Sequence, residues 1–385
     1  MKETSTIKYL FVDDNEKMEK ALANITEFDA FAVDFEMENN YHHYGLSIAL
    51  IQISTPLKET YVFDPLAKEI DISPIGNLLS DEHTEKVIHD IDFDKRACQQ
   101  VYGWTITNVF DTKVAAQLCG YNNYGLGSLL DEMFGLQTNK KYQKIDWLKR
   151  PINKDALRYA ALETKYLHDI RDRLYKELKD LNRLEWAMDE FRFHELADIS
   201  EPLTPYERLE KTANHQKLTA RQKTLLKHLV EFREKHAKLL NRPVHFVIHD
   251  KLLIDISKNP PKNKTEVRAI NSMHPVVYQQ QTIKELLDVI KTGQRAPEIE
   301  SIQNHRTRRR YLVDRPLKAM QTWRAEFAKP YEIEPYLLLS NETLRWAACE
   351  GNAKTVPSEI AAQIRPWQRN LIWSGFAKEF NLPDL

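Results

Sequence analysis

Short apolar runs divided by polar turns fill the first ninety residues. Phe31-Ala32-Val33-Asp34-Phe35-Glu36, Ser47-Ile48-Ala49-Leu50-Ile51-Gln52-Ile53 and Tyr61-Val62-Phe63 predict three strands, rich in branched and aromatic side chains. Lys86-Val87-Ile88-His89 predicts a fourth, with a helical stretch following from about Asp94. Closely spaced strands that give way to strand–helix alternation predict a mixed α/β sheet with flanking helices. After Pro151 the period becomes helical. Leu157, Ala160, Ala161, Leu167, Ile170, Leu174 and Leu178 recur at helical spacing behind Asn153 as N-cap. Ile199 to Pro205 carries two prolines and reads as a linker.

Beyond it the pattern is helical in two blocks, Leu218 to about Gly293 and Pro316 to Phe380. Each opens on an apolar residue followed by an aromatic–arginine pair, Leu229 with Phe232-Arg233 and Met320 with Trp323-Arg324. Each continues through a proline-containing turn into a short apolar helix, His249 to Leu253 and Ser340 to Leu344. A shared plan of this kind predicts a diverged tandem duplication, and two copies are too few for a solenoid.

Composition places the chain among multidomain globular proteins: 385 residues, 42% hydrophobic and 29% charged. The net charge of -1 speaks against a polyanionic partner only until the chain is divided. Residues 1–200 carry a net charge of −11 and residues 201–385 one of +10. Such asymmetry suggests two tasks, one of them nucleic-acid contact, although plain solvated surfaces also produce charge blocks. Cys98, Cys119 and Cys349 contain no Cys-x-x-Cys pair, which removes a disulfide framework and a cysteine zinc site. The early apolar run from Tyr9 to Val12 is too short for a signal-peptide core, and no stretch reaches a membrane span. A soluble cytoplasmic protein without membrane contact is expected.

The candidate chemistry is acidic. Asp34 and Glu36 stand at i and i+2 of a strand, so both side chains leave one face. Paired carboxylates on an apolar strand make sense around a divalent cation, although a solvent-facing strand edge presents the same pair. Asp90, Asp92 and Asp94 follow the strand ending at His89, and Glu163 lies one helical turn after Tyr159. Carboxylates spread over strands and a late helix, with a phenol beside the last, fit a two-metal phosphodiesterase centre with ions roughly 4 Å apart.

These segments resemble the tyrosine-type DEDD superfamily of 3′-5′ exonucleases, and within it the ribonuclease D family. Val33-Asp34-Phe35-Glu36 resembles the first motif, and Lys86-Val87-Ile88-His89 with Asp94 the second. Asp111-Thr112, Asp146-Trp147-Leu148-Lys149-Arg150-Pro151 and Tyr159 to Leu167 resemble the last part of the nuclease domain. The helical blocks resemble paired helicase-and-RNase-D C-terminal (HRDC) domains. The resemblance implies an RNase H-like exonuclease domain over 1–205, HRDC domains over 211–295 and 312–385, and a basic connector over 296–311. It implies a monomeric enzyme that removes nucleotides from RNA 3′ ends, such as those of tRNA precursors, with two Mg²⁺ or Mn²⁺ ions. Asp34, Glu36, Asp94 and Glu163 would be the ligands, with Glu36 and Tyr159 acting on the attacking water.

The family pattern ends in Asp where this chain has Glu163. A compensated site, a changed metal preference and a degenerate nuclease that serves as an RNA-binding scaffold are the three readings. A DNA 3′-5′ exonuclease is a further alternative. Gln52, His89, Lys140 and Gln143 are candidate substrate contacts, while Arg306, Arg308, Arg309 and Arg310 are candidates for RNA phosphates. A solvated loop around Lys140 and a merely satisfied Gln52 are the plainer alternatives.

Overall fold

In the computed structural model, which describes residues 7–138, 140–197, 203–213, 218–299, 306–350 and 354–385, the branched and aromatic runs pair into one six-stranded sheet. Its strands are β1 (Leu10–Val12), β2 (Ala30–Asn39), β3 (Leu46–Ser54), β4 (Thr60–Phe63), β5 (Glu85–Ile88) and β6 (Val109–Asp111), in the order β1-β4-β3-β2-β5-β6. β1 runs parallel to β4, and β5 runs parallel to both β2 and β6. β3 and β4 are antiparallel, so the sheet is mixed as expected. β2 and β3 lie at its centre with helices on the faces, which is why they read as near-continuous apolar runs. β1 and β6 have three residues each, too few for a periodic signal in the sequence.

Helix α1 spans Ile91–Tyr102 and begins three residues before the expected Asp94, because Asp90 takes the left-handed conformation (φ 72°) at its N-cap. The helix expected after Pro151 is present with Asn153 as its cap: Asn153 Oδ1 accepts from the Asp155 N–H at 2.7 Å. It divides at Tyr166 into α2 (Lys154–Lys165) and a helix over Leu167–Asp180. The expected linker 199–205 lies mostly outside the described residues, and Pro205 opens a helix over Pro205–Ala213.

The chain packs into two compact units whose composition differs from the expected succession of domains. One comprises Met1–Glu36, Ile48–Asp198 and Asn304–Leu385; the other comprises Met37–Ser47 and Ile199–Gln303. The second helical block therefore shares a unit with the strands of the sheet. Its anchor is on α3 (Leu184–Leu196). Glu190 on α3 accepts from Arg365 Nε and from the Trp367 indole, both at 2.7 Å. The Trp367 ring stacks on Trp186 with centroids 4.7 Å apart, and its backbone N–H donates to Asp189 at 2.9 Å. Arg183 donates to the carbonyls of Leu118 and Tyr331. These groups are polar by type and would read as surface in the sequence, yet they pair with one another as they are buried.

In the other unit, the tip between β2 and β3 belongs with the first helical block. Tyr44 donates from its hydroxyl to Glu234 at 2.9 Å, on helix α4 (Ala220–Leu240). The basic connector expected over 296–311 ends earlier: helix α5 begins at Arg306 and runs through Pro316 to Ala328. Proline removes one intrahelical hydrogen bond, and the packing of Met320, Trp323 and Arg324 holds the helix beyond it. Arg306 and Arg308 to Arg310 stand in its first turns, with their side chains outside the described part of the structure.

The two helical blocks carry the same arginine clamp. Arg233 on α4 donates to the Ile248 carbonyl at 3.1 Å and to Asp250 at 2.5 Å. Arg324 on α5 donates to the Leu339 carbonyl at 2.5 Å and to Asn341 at 3.0 Å. The separations along the chain are 15 and 17 residues in both. Both Nε atoms are buried without a partner. Among the described residues no helix is long and apolar enough to cross a membrane.

Trp367 is 3% exposed and joins its stacking partner to a buried ion pair. Trp367→Ala is expected to destabilise the first unit by about 3–5 kcal/mol. Urea denaturation followed by circular dichroism measures this, and a loss below about 1 kcal/mol would contradict the anchoring role.

Candidate active site

Three of the four expected ligands meet. One carboxylate oxygen from each of Asp34, Glu36 and Glu163 lies within 4.8 Å of the others. The strand period sends Asp34 and Glu36 from the same face of β2, and α2 crosses that face with Glu163. Glu36 is buried while Asp34 and Glu163 are partly accessible. Asp94 lies outside this trio, buried on α1, and its charge acts on Asp34 and Glu36.

The three aspartates after His89 are separated by their partners. Asp90 pairs with Lys113 at 2.5 Å, and Asp92 pairs with His194 at 2.9 Å. Of the three, Asp94 alone is buried. Asp111 caps the helix over Thr112–Cys119 and also accepts from the Asp90 and Ile91 N–H groups, fixing where α1 begins.

Tyr159 stands one turn before Glu163, and its hydroxyl donates to Glu163 Oε1 at 2.5 Å. Its ring packs against Tyr142, 5.7 Å away, and Trp147, 6.5 Å away. Trp147 stands in one of the segments that carry the family resemblance, but neither ring has a sequence signal for packing on Tyr159; Trp147 is buried. Arg150 grips both oxygens of Asp64 and the carbonyls of Trp147 and Ala49, so the segment before α2 is tied to the sheet.

The remaining candidates separate. Gln52 is fully buried on β3, and with its amide nitrogen toward Asp34 it lies 2.9 Å from that carbonyl and 3.3 Å from Oδ2. It holds Asp34 and has no surface to offer a substrate, which corrects its reading as a substrate contact. His89 bonds Thr112 Oγ1 at 2.9 Å and is likewise occupied within the fold. Lys140 and Gln143 are exposed on either side of Tyr142, the ring that packs on Tyr159. Asn139, at the start of that loop, lies outside the described residues.

Crowding of negative charge sets the electrostatics. Burial and then the neighbouring carboxylates hold Asp34, Glu36 and Asp94 well above the usual carboxylate range. Burial lifts Glu163 to about 7, against the lowering effect of the Tyr159 hydrogen bond and of Glu36 beside it. Burial and the Glu163 charge raise Tyr159, so its phenol stays neutral. Glu36 Oε1 is buried with no hydrogen-bond partner. Hard oxygen donors, an orphaned carboxylate oxygen and uncompensated charge fit a divalent cation.

The sign of the pH dependence follows. Glu163 titrates near 7 in the folded chain and near 4.5 when unfolded. Between these values the folded state holds protons that the unfolded chain has lost, so metal-free stability falls as pH rises through that window. Asp34, Glu36 and Asp94 act in the same direction. A cation favours the deprotonated carboxylates, so Mn²⁺ is expected to raise Tm more at pH 8 than at pH 5.5. Scanning calorimetry checks this; an equal shift at both values would contradict the assignment.

Known proteins share parts of this sequence and this fold. The profile of the 3′-5′ exonuclease family matches residues 9–179, and that of the HRDC domain matches residues 222–290. The chain is 28% identical over 257 residues to ribonuclease D of Desulfotalea psychrophila, covering 66% of this chain and 68% of that one. It is 27% identical over 321 residues to ribonuclease D of Pseudomonas paraeruginosa, covering 83% and 84%. The crystal structure of Escherichia coli RNase D, described as an exoribonuclease involved in structured RNA processing, superposes with a TM-score of 0.75 at 22% identity. That match covers 97% of this chain and 99% of the other. It establishes a shared fold, an RNase H-like α/β domain accompanied by helical C-terminal segments.

Proposed function

Starting from a chain that carries a 3′-5′ exonuclease domain and an HRDC domain and is related to ribonuclease D, we propose that it is a metal-dependent 3′-5′ exoribonuclease. Its substrates on this reading are the 3′ ends of structured RNAs such as tRNA precursors. The observation that carries it is the trio Asp34, Glu36 and Glu163 within 4.8 Å, with the Tyr159 hydroxyl on Glu163.

Asp34, Glu36, Asp94 and Glu163 would hold two divalent ions, Mg²⁺ or Mn²⁺. When bound, these supply positive charge to the attacking and leaving oxygens of an in-line displacement. Gln52 keeps the Asp34 carboxylate aimed from β2. Tyr159, neutral and packed against two rings, orients the attacking water through its hydroxyl without giving up its proton. Lys140 and Gln143 flank this end of the site and are suited to the terminal phosphates. The repeated arginine clamp supports reading the second helical block as a second, diverged HRDC domain. Arg306 and Arg308 to Arg310 add positive charge at the head of α5, suited to RNA phosphates.

Purified protein with Mn²⁺ is expected to shorten a 3′-tailed RNA one nucleotide at a time and to prefer it over the matched DNA. Loss of an outer-sphere partner costs metal sites about 10–10²-fold. Asp34→Asn removes a ligand charge and is expected to cost at least about 10²-fold. Denaturing gels at single-nucleotide resolution read both outcomes. Undiminished activity in Asp34→Asn would remove this site from the chemistry, and faster DNA than RNA degradation would reassign the substrate.

A further inference from the structure

Glu163 is where the chain departs from its family's Asp, and its surroundings show what the longer side chain does. Helical side chains lean toward the N-terminus, so Glu163 leans back over Tyr159 on the same face of α2. Its Oε1 accepts the phenol at 2.5 Å, and a carboxylate oxygen of Glu163 lies within 4.8 Å of one from each of Asp34 and Glu36 on β2. It therefore sits between the tyrosine of its own helix and the ligand pair of the central strand. An Asp there would withdraw the carboxylate by about 1.5 Å, one carbon–carbon bond. That would stretch the contact beyond hydrogen-bond range unless helix and strand moved together.

We propose that Glu163 is a positioning residue for Tyr159: its extra methylene lets one carboxylate reach Glu36 and the metal site while fixing the phenol that faces the attacking water. The departure from the family pattern is then a compensated form of the site, neither a lost ligand nor decay toward a binding scaffold. Two features of the structure support this. The ring of Tyr159 is buried and packs against Tyr142 and Trp147, which restrains the ring and leaves its hydroxyl direction to its acceptor. Glu163 Oε1 is also the sole hydrogen-bond acceptor that the Tyr159 hydroxyl has among the described residues.

The inference rests on the exoribonuclease reading for its kinetic test, and a second readout stands apart from activity. Glu163→Asp keeps the charge and shortens the arm, whereas Tyr159→Phe removes the phenol alone. Each is expected to lower kcat on a 3′-tailed RNA about 10- to 10²-fold, with KM within about twofold, as for a reacting group misplaced by an ångström. In the double variant the costs should not multiply, and kcat should stay within about threefold of the slower single variant.

Protein labelled with 3-fluorotyrosine reports on the bond directly. The ¹⁹F resonance assigned to Tyr159, by its absence in Tyr159→Phe, should move in Glu163→Asp without metal or RNA present. Multiplying costs, an unchanged or faster Glu163→Asp, or an unmoved resonance would each overturn the proposal. A parent protein that binds Mn²⁺ yet releases no nucleotide would sink the exoribonuclease reading, while the fluorine measurement would still decide the role of Glu163.

Discussion

Repulsion among carboxylates on the central strand is the constraint around which the first unit is organised. Asp34 and Glu36 on β2 face Glu163 from α2, with the Asp94 charge close by, and burial with mutual repulsion makes each harder to ionise than in water. Such a cluster is costly to the folded chain and becomes favourable only with a cation bound. The surroundings restrain it. Gln52 grips Asp34, Tyr159 reaches Glu163, and Arg150 ties the segment ahead of α2 to Asp64 and the sheet. Each restraint comes from a different element, so the site's geometry depends on the packing of the whole sheet.

The helical half shows a different economy. The arginine clamp appears once in each block with the same spacing, and in each it leaves the same nitrogen unpartnered. The second block has also become part of the unit that carries the carboxylates, through Arg365, Trp367 and Glu190. The two blocks share this clamp, and burial of Trp367 beside the Arg365–Glu190 ion pair ties one of them to the sheet-bearing unit. The division of labour into an acidic catalytic half and a basic docking half is accordingly too simple, because the +10 half includes a segment packed with the −11 half.

What the sequence disclosed follows the range of its signals. The Asp34/Glu36 pair, the Tyr159/Glu163 turn and the Asn153 cap are local patterns of strand or helix period, and the structure places each where that period puts it. β1 and β6 escaped because three residues carry no period. Asp94 differs from Asp90 and Asp92 through Lys113 and His194, which pair with those two from 23 and 102 residues away and leave no local trace. Gln52 was legible as a polar side chain needing a partner, but the identity of that partner required the strand pairing. The anchoring of Trp367 on Glu190 spans 177 residues and had no local trace.

The central claim is that these four carboxylates form a divalent-metal centre. Anomalous diffraction at the manganese edge from crystals grown with Mn²⁺ tests it most directly. Peaks among Asp34, Glu36, Asp94 and Glu163 are the expected result. A map with no peak there, while the carboxylates keep their positions, would contradict it.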